Sequence, residues 1–303
     1  MGALDAQFGR ILAQAVLKLL NKNSVKPSQV RAIGNHGQTI RHRPDGPNGF
    51  SLQIGDPNRL AEATGIEVVA DFRRRDMAVG GQGAPLAPLF HRHFMGSPSE
   101  NRAVLNLGGI ANITYLPKSG SPLAFDTGPA NGLMDAWIEK QTSQPYDRDG
   151  QWASSGTPQQ HLVEKWLEDA YFLRPPPKST GKEYFTLDWL KQTPLEASAV
   201  DIQASLLQLT TKSIEKSVQN FCGPIDRLFV CGGGIHNSAL MQSLSDQFKC
   251  PVESTQVLGL QPDWIEAMTF AWLAKNRVEC IPMHLTPFTG AQKDVILGAI
   301  YPV

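Results

Sequence analysis

The stretch "AVLNLGGIANITYLP" (103–117), followed closely by "LAFDTGPANGLMDAW" (123–137), decides how this chain is read. Apolar and β-branched residues flank Gly108-Gly109, the pattern of two strands joined by a tight glycine turn. The second stretch reads as a further strand ending at Asp126, then a Gly-Pro turn and a run with helical spacing. A carboxylate at a strand end beside a glycine has two readings. It is a turn former or helix cap, or it is a base held at the mouth of a cleft to take a proton.

Outward from this centre the chain alternates strands and helices. Leu4, Phe8, Ile11, Leu12, Ala15, Val16, Leu19 and Leu20 recur at three- and four-residue steps, which predicts an opening helix with one apolar stripe. Strands are expected in 30–37, 50–56 and 66–72, with a helix starting at Pro57 behind the cap Asp56, and another helix over 85–95. Beyond the central strands lie a polar, proline-marked region (143–194) and a long helix from Val200 to Phe221. "DRLFVCGGGIHNSALM" (226–241) reads as strand, glycine turn and helix, and 263–279 as a last long helix. This β/α alternation predicts mixed sheets covered by helices. The expected division is a first lobe of 1–100 joined by 276–303, and a second lobe of 101–275.

With 303 residues, zero formal net charge and a near-neutral pI, the chain offers no broad electrostatic surface for nucleic acid or anionic membrane. The one basic cluster, "FRRRDM" (72–77), is flanked by its own acids and reads as a solvated or locally paired patch. Four widely spaced cysteines without a CxxC pair argue against a zinc site or a disulfide framework. No membrane-length apolar run or signal-peptide layout is present, so the expected compartment is the cytosol.

Several constellations could carry chemistry. "NLGGIAN" and "VCGGGIHN" put glycines at strand ends, where a phosphate can approach exposed backbone N–H groups. The bland alternative is that such turns need glycine anyway. Neither is GxxxxGK[ST], and "GGGIHN" is not GxGxxG, although Glu253 stands where a dinucleotide fold keeps its ribose-binding acid. Asp126 and Glu266 are expected at transitions into helices, and Asp263 with Glu266 fits a capping box. If both acids serve one site, a glycoside-hydrolase pair and a kinase base with a sugar ligand are both open. "GNHGQTIRHRP" (34–44) and "ADFRRRDMAVGGQGAPL" (70–86) concentrate groups suited to a polyhydroxyl, acid-bearing ligand.

Together "GNHGQTIRHRP", "VVADFRRRDMAVGGQGAPL", "NLGGIANIT", "FDTGPAN", "CGGGIHN" and "DWIEAMTFAW" resemble the anhydro-N-acetylmuramic acid kinases of the sugar kinase, Hsp70 and actin superfamily. The resemblance runs from about residue 30 to the closing "LGAIYP". It implies an α/β, two-lobed actin-like ATPase (ribonuclease H-like) fold. It also implies a reaction that opens the 1,6-anhydro ring of a recycled cell-wall amino sugar while phosphorylating O6, with ATP and Mg²⁺, in a cytoplasmic homodimer. On this chain Asp126 would be the base that activates water. Gln38, Thr39, Arg73 and Glu266 would hold the sugar, with Arg73 a partner for its lactyl carboxylate. Gly108, Gly109 and Gly128 would form phosphate turns, and Gly232, Gly233 and Gly234 would line the adenosine side.

The family's opening strand and "GTSxDG"-type phosphate loop are not found ahead of the helix at Leu4. The expectation is therefore a first lobe incomplete at its N-terminus and a chain, as written, with little kinase turnover. The alternatives are a non-catalytic sugar-binding remnant and an ATP-independent carbohydrate-active enzyme.

Overall fold

The computed structural model describes residues 1–303 and divides into two compact units, Met1–Phe90 with Glu266–Val303, and His91–Ile265. Ten strands run in chain order: β1 Ile33–Gly34, β2 Gln38–Arg43, β3 Phe50–Ile54, β4 Val68–Ala70, β5 Arg102–Leu107, β6 Ile110–Leu116, β7 Leu123–Pro129, β8 Arg227–Cys231, β9 Val252–Ser254 and β10 Ala299–Tyr301.

The second unit is built on a five-stranded sheet of order β7-β6-β5-β8-β9, in which β5 pairs antiparallel with β6 and parallel with β8. The mixed α/β architecture expected from the alternation is therefore present. Ala103, Val104 and Leu105 of β5 are all fully buried, so this strand is covered on both faces. One face packs with Trp137, Leu162, Trp166, Leu206 and Leu209 into the main core. The helix Ala199–Phe221 crosses that core, and Ser198 caps it by accepting the Asp201 N–H. Trp137 of the helix Asn131–Thr142 donates its indole N–H to the Ala199 carbonyl, locking the two helices at 2.9 Å.

The first unit holds a three-stranded sheet, β1-β4-β10, and a separate β2–β3 hairpin. Asp56 accepts the N–H groups of Asn58 and Arg59 to start the helix Pro57–Thr64, as the Asp-Pro pair predicts. The opening helix, Gly2–Lys22, departs from its expected stripe. Gly9 and Ala13 are its buried residues, whereas Leu4, Ile11 and Leu19 lie outward. Small residues permit close approach: Gly9 sits against the backbone of Asp56, which rotates the contact toward that side and leaves the flank of the stripe exposed. No helix is long and apolar enough to cross a membrane.

Candidate functional site

Asp126 lies inside β7, opposite Asn112 of β6 and next to an irregularity in pairing between Ala111 and Asn112. Three further strand residues follow it before the helix at Asn131, which corrects the expected strand end and helix transition. The turn-former and cap reading is thereby excluded for Asp126. Its surroundings come from a distant segment instead. The Thr180 N–H donates to Asp126 Oδ2 at 2.9 Å, the Tyr171 hydroxyl donates to the Asp126 carbonyl at 2.8 Å, and the Asp126 N–H donates to the Lys178 carbonyl. Burial pushes the carboxyl up to about 6, against the opposing pull of the Thr180 N–H and the Lys178 ammonium. A group poised there is ionised at neutral pH and still basic enough to accept a proton.

The glycine turns gather at one end of the same sheet. Because β5 and β8 run parallel in register, Asn106 beside Cys231, their C-terminal ends place Gly108-Gly109 and Gly232-Gly233-Gly234 side by side. Gly232 needs its positive φ of 81°, and a Cβ there would strike Asn106 and the Leu107 carbonyl. Gly234 packs against Leu107, while a Cβ on Gly233 would meet nothing within 4 Å. The carbonyls of Gly108 and Gly109 accept the N–H groups of Ala130, Asn131 and Gly132, fixing the start of the helix Asn131–Thr142 beside the turn. Gly128 pairs with Ala111, and Phe172 lies where its Cβ would be. So Asp126, Gly108, Gly109 and Gly128 share one end of the β5–β6–β7 part of the sheet, with Gly232 to Gly234 in the turn that follows β8, the neighbour of β5.

The first unit brings Arg73, Glu266 and a residue not singled out before, His36, into one cluster. Arg73 is turned inward on the helix Phe72–Met77, donating from Nε to His36 Nε2 at 3.0 Å and from Nη1 to the Gly83 carbonyl at 2.8 Å. Burial lowers its pKa, and the attraction of Glu266 and then Asp76 opposes this. His36 stacks on Phe270 at 4.4 Å, and burial, then Arg73, lowers its pKa to about 4, so it is a neutral acceptor. The basic patch is therefore only partly solvated: Arg74 pairs with Asp71 at 3.3 Å, while Arg73 is withdrawn from water. Gln38 and Thr39 sit on β2, where Gln53 of β3 donates to the Thr39 hydroxyl and the Ser51 hydroxyl bonds to His42. Arg73 also depresses the His42 pKa, after burial, which places the polar β2–β3 hairpin within the guanidinium's field.

The expected capping box fails: Asp263 sits in a short 3₁₀ turn and accepts from His236 at 3.0 Å. Glu253 is engaged by Arg227 at 2.9 Å, which occupies the carboxylate a dinucleotide fold would offer to ribose. The chain gathers no group of three or more His, Cys, Asp or Glu side chains that could hold a metal ion. Sequence reasoning missed Tyr171, Lys178, Thr180 and Lys182. The last lies directly on Gly109, where a Cβ would collide with it, and it draws down the pKa of Asp135 that burial raises to about 6. The signal was "KSTGK" (178–182), two lysines bracketing Ser-Thr-Gly in what reads only as a proline-rich loop.

A family model described as anhydro-N-acetylmuramic acid kinase matches residues 1–303. The chain is 51% identical over 306 residues to the anhydro-N-acetylmuramic acid kinase of Coxiella burnetii, covering 99% of this chain and 82% of that protein. It is 50% identical over 305 residues to the kinase of the same name from Xylella fastidiosa, covering 100% of this chain and 80% of that protein. Among solved structures, the activator of the 2-hydroxyisocaproyl-CoA dehydratase from Clostridium difficile, with bound ADPNP, is similar at 14% identity and a TM-score of 0.42, over 82% of this chain and 96% of that one.

Proposed function

Because the chain belongs to the anhydro-N-acetylmuramic acid kinase family, we propose that it opens 1,6-anhydro-N-acetylmuramic acid with water and phosphorylates O6 at the expense of ATP. The observation that carries this reading is the environment of Asp126, a partly buried carboxyl raised to about 6 and held by the Thr180 main-chain N–H beside paired glycine turns.

In the proposed reaction Asp126 accepts a proton from water as its oxygen attacks C1. The C1–O6 bond breaks, and the electron pair left on O6 takes the γ-phosphoryl group. N-acetylmuramic acid 6-phosphate and ADP form, and the proton passes from Asp126 to solvent. One base thus serves a hydrolysis and a phosphoryl transfer, since the same bond cleavage consumes the activated water and creates the nucleophilic oxygen.

The glycine turns Gly108-Gly109 and Gly232-Gly233-Gly234, with Gly128, suit the nucleotide because their lack of side chains admits phosphate and ring to the backbone. The open space over Gly233 supports that assignment. Arg73 would meet the lactyl carboxylate through the guanidinium N–H groups that His36 and Gly83 leave over, while Glu266, Gln38 and Thr39 offer hydrogen bonds to hydroxyl and acetamido groups. Without a built carboxylate cage, Mg²⁺ would arrive on the nucleotide and be held mainly by phosphates and water. The need for ATP as phosphoryl donor supports a cytoplasmic reaction, and light scattering tests the homodimer that the resemblance implies.

The experiment is product analysis: ATP, the anhydro sugar and the protein should yield the 6-phosphate and ADP in equal amounts. Ring opening that proceeds equally without ATP would contradict the proposal and favour a glycosidase.

A further inference from the structure

Lys178 is a cation buried without a carboxylate at its side. Only 4% of it is exposed. Its ammonium lies 4.9 Å from the centre of the Tyr171 ring, 5.1 Å from Phe221 and 5.8 Å from Phe125. It donates hydrogen bonds to the main-chain carbonyls of Tyr171 and Phe172, both at 3.4 Å. Three elements build this cage: β7, the helix Ala170–Leu173 and the end of the helix Ala199–Phe221. Withdrawing an ammonium from water is costly, and cation–π contacts with two weak hydrogen bonds return only part of that cost. A Met or Leu would fill such a space more cheaply, so the charge points to a role beyond packing.

What the charge reaches is the proposed base. Lys178 and Asp126 attract each other, lowering the carboxyl pKa and raising that of the amine. The same lysine accepts the Asp126 N–H on its main-chain oxygen, and two residues later Thr180 donates to the carboxylate. At the other end of this segment, Tyr171 bonds the Asp126 carbonyl and offers its own carbonyl to the Lys178 ammonium. The ammonium therefore ties together the two ends of the segment that encloses Asp126.

We infer that Lys178 is a positioning residue for the proposed reaction: its caged ammonium clasps residues 171–180 onto β7 and keeps the Asp126 carboxylate ionised and aimed. The inference rests on the reading of Asp126 as the base. The charged and titratable groups facing Lys178 are Arg174, which repels it, Asp126, which attracts it, and the Tyr171 phenol. Burial first and Arg174 second bring the amine down to about 8, so the clasp loses its charge as pH rises through that value.

The test is Lys178→Met in the full-length enzyme, with Met chosen to fill an apolar cage. The expected result is a kcat lower by about tenfold or more, KM values for sugar and ATP within about twofold of wild type, and an acid limb of the kcat profile moved to higher pH. A folded variant whose kcat and acid limb match wild type overturns the inference, as does a loss confined to thermal stability. A second measurement needs neither turnover nor the Met variant to fold. The Lys178 amine, followed by NMR titration, should show a lower pKa in Asp126→Asn than in wild type, and an unchanged value overturns the inference. Absence of ATP-dependent ring opening in the wild type would instead sink the proposed function and leave this contact still measurable.

Discussion

Thr180 donates its backbone N–H to Oδ2 of Asp126 at 2.9 Å from 54 residues further along the chain. A main-chain donor does not depend on the side chain at its own position, proline apart, and cannot titrate, so it fixes one carboxylate oxygen whatever the pH. Burial works against this bond and wins, which is why the carboxyl settles near 6 rather than in the usual aspartate range.

Asp126→Asn keeps shape and removes the base. Turnover should fall by about a hundred- to ten-thousand-fold, the range that general-base catalysis supplies. Calorimetric affinity for the anhydro sugar should stay close to wild type, because the residues proposed to hold the sugar are untouched.

The same substitution should stabilise the protein at neutral pH. A carboxyl whose folded pKa is raised binds its proton more tightly in the folded chain, so stability is lost as pH climbs from the unfolded value through about 6. Asparagine carries no such cost. Asp126→Asn should melt higher than wild type at pH 7.5, by on the order of 2 kcal/mol, with the difference vanishing below about pH 4. Thermal melts across pH check it, and equal midpoints at pH 7.5 would show that the carboxyl is not raised. In the wild type the acid limb of kcat should lie near 6, with turnover falling as Asp126 is protonated below it.

The glycines at 232 and 233 should separate folding from nucleotide binding. Gly232→Ala forces a Cβ against Asn106 and Leu107 at a positive φ and should cost about 1–3 kcal/mol of stability. Gly233→Ala meets open space and should leave the melting temperature unchanged. If a nucleotide lies over it, KM for ATP should rise by about fivefold or more, about 1 kcal/mol of binding.

Arg73→Lys tests the sugar side. Lysine cannot serve His36, Gly83 and a ligand carboxylate in one plane. The KM for the sugar should rise about tenfold or more with a smaller change in kcat, read from steady-state kinetics. An unchanged KM would remove Arg73 from substrate binding.

The fold class was largely legible because its signals are local. Asp56-Pro57 announces a helix start, and the periodicity of 200–221 announces a long helix; both are present. The strand β2 was not legible, because "QTIRHR" shows no apolar alternation and is held extended by its pairing with β3. At the candidate site, the glycine turns and Asp126 stand out by residue type. What surrounds Asp126 does not, since the Thr180 N–H and the Lys178 carbonyl that meet it are main-chain groups, and the Lys178 ammonium is brought near only by the fold of residues 171–180. Arg73 is one of three consecutive arginines, and only the register of a six-residue helix turns it toward His36 while Arg74 meets Asp71.

The most direct test of the account is turnover of 1,6-anhydro-N-acetylmuramic acid with ATP in ¹⁸O-water. The account predicts one ADP per sugar, phosphate on O6, and ¹⁸O at the anomeric carbon, all abolished by Asp126→Asn. Label absent from the anomeric carbon, or full turnover by Asp126→Asn, would contradict it.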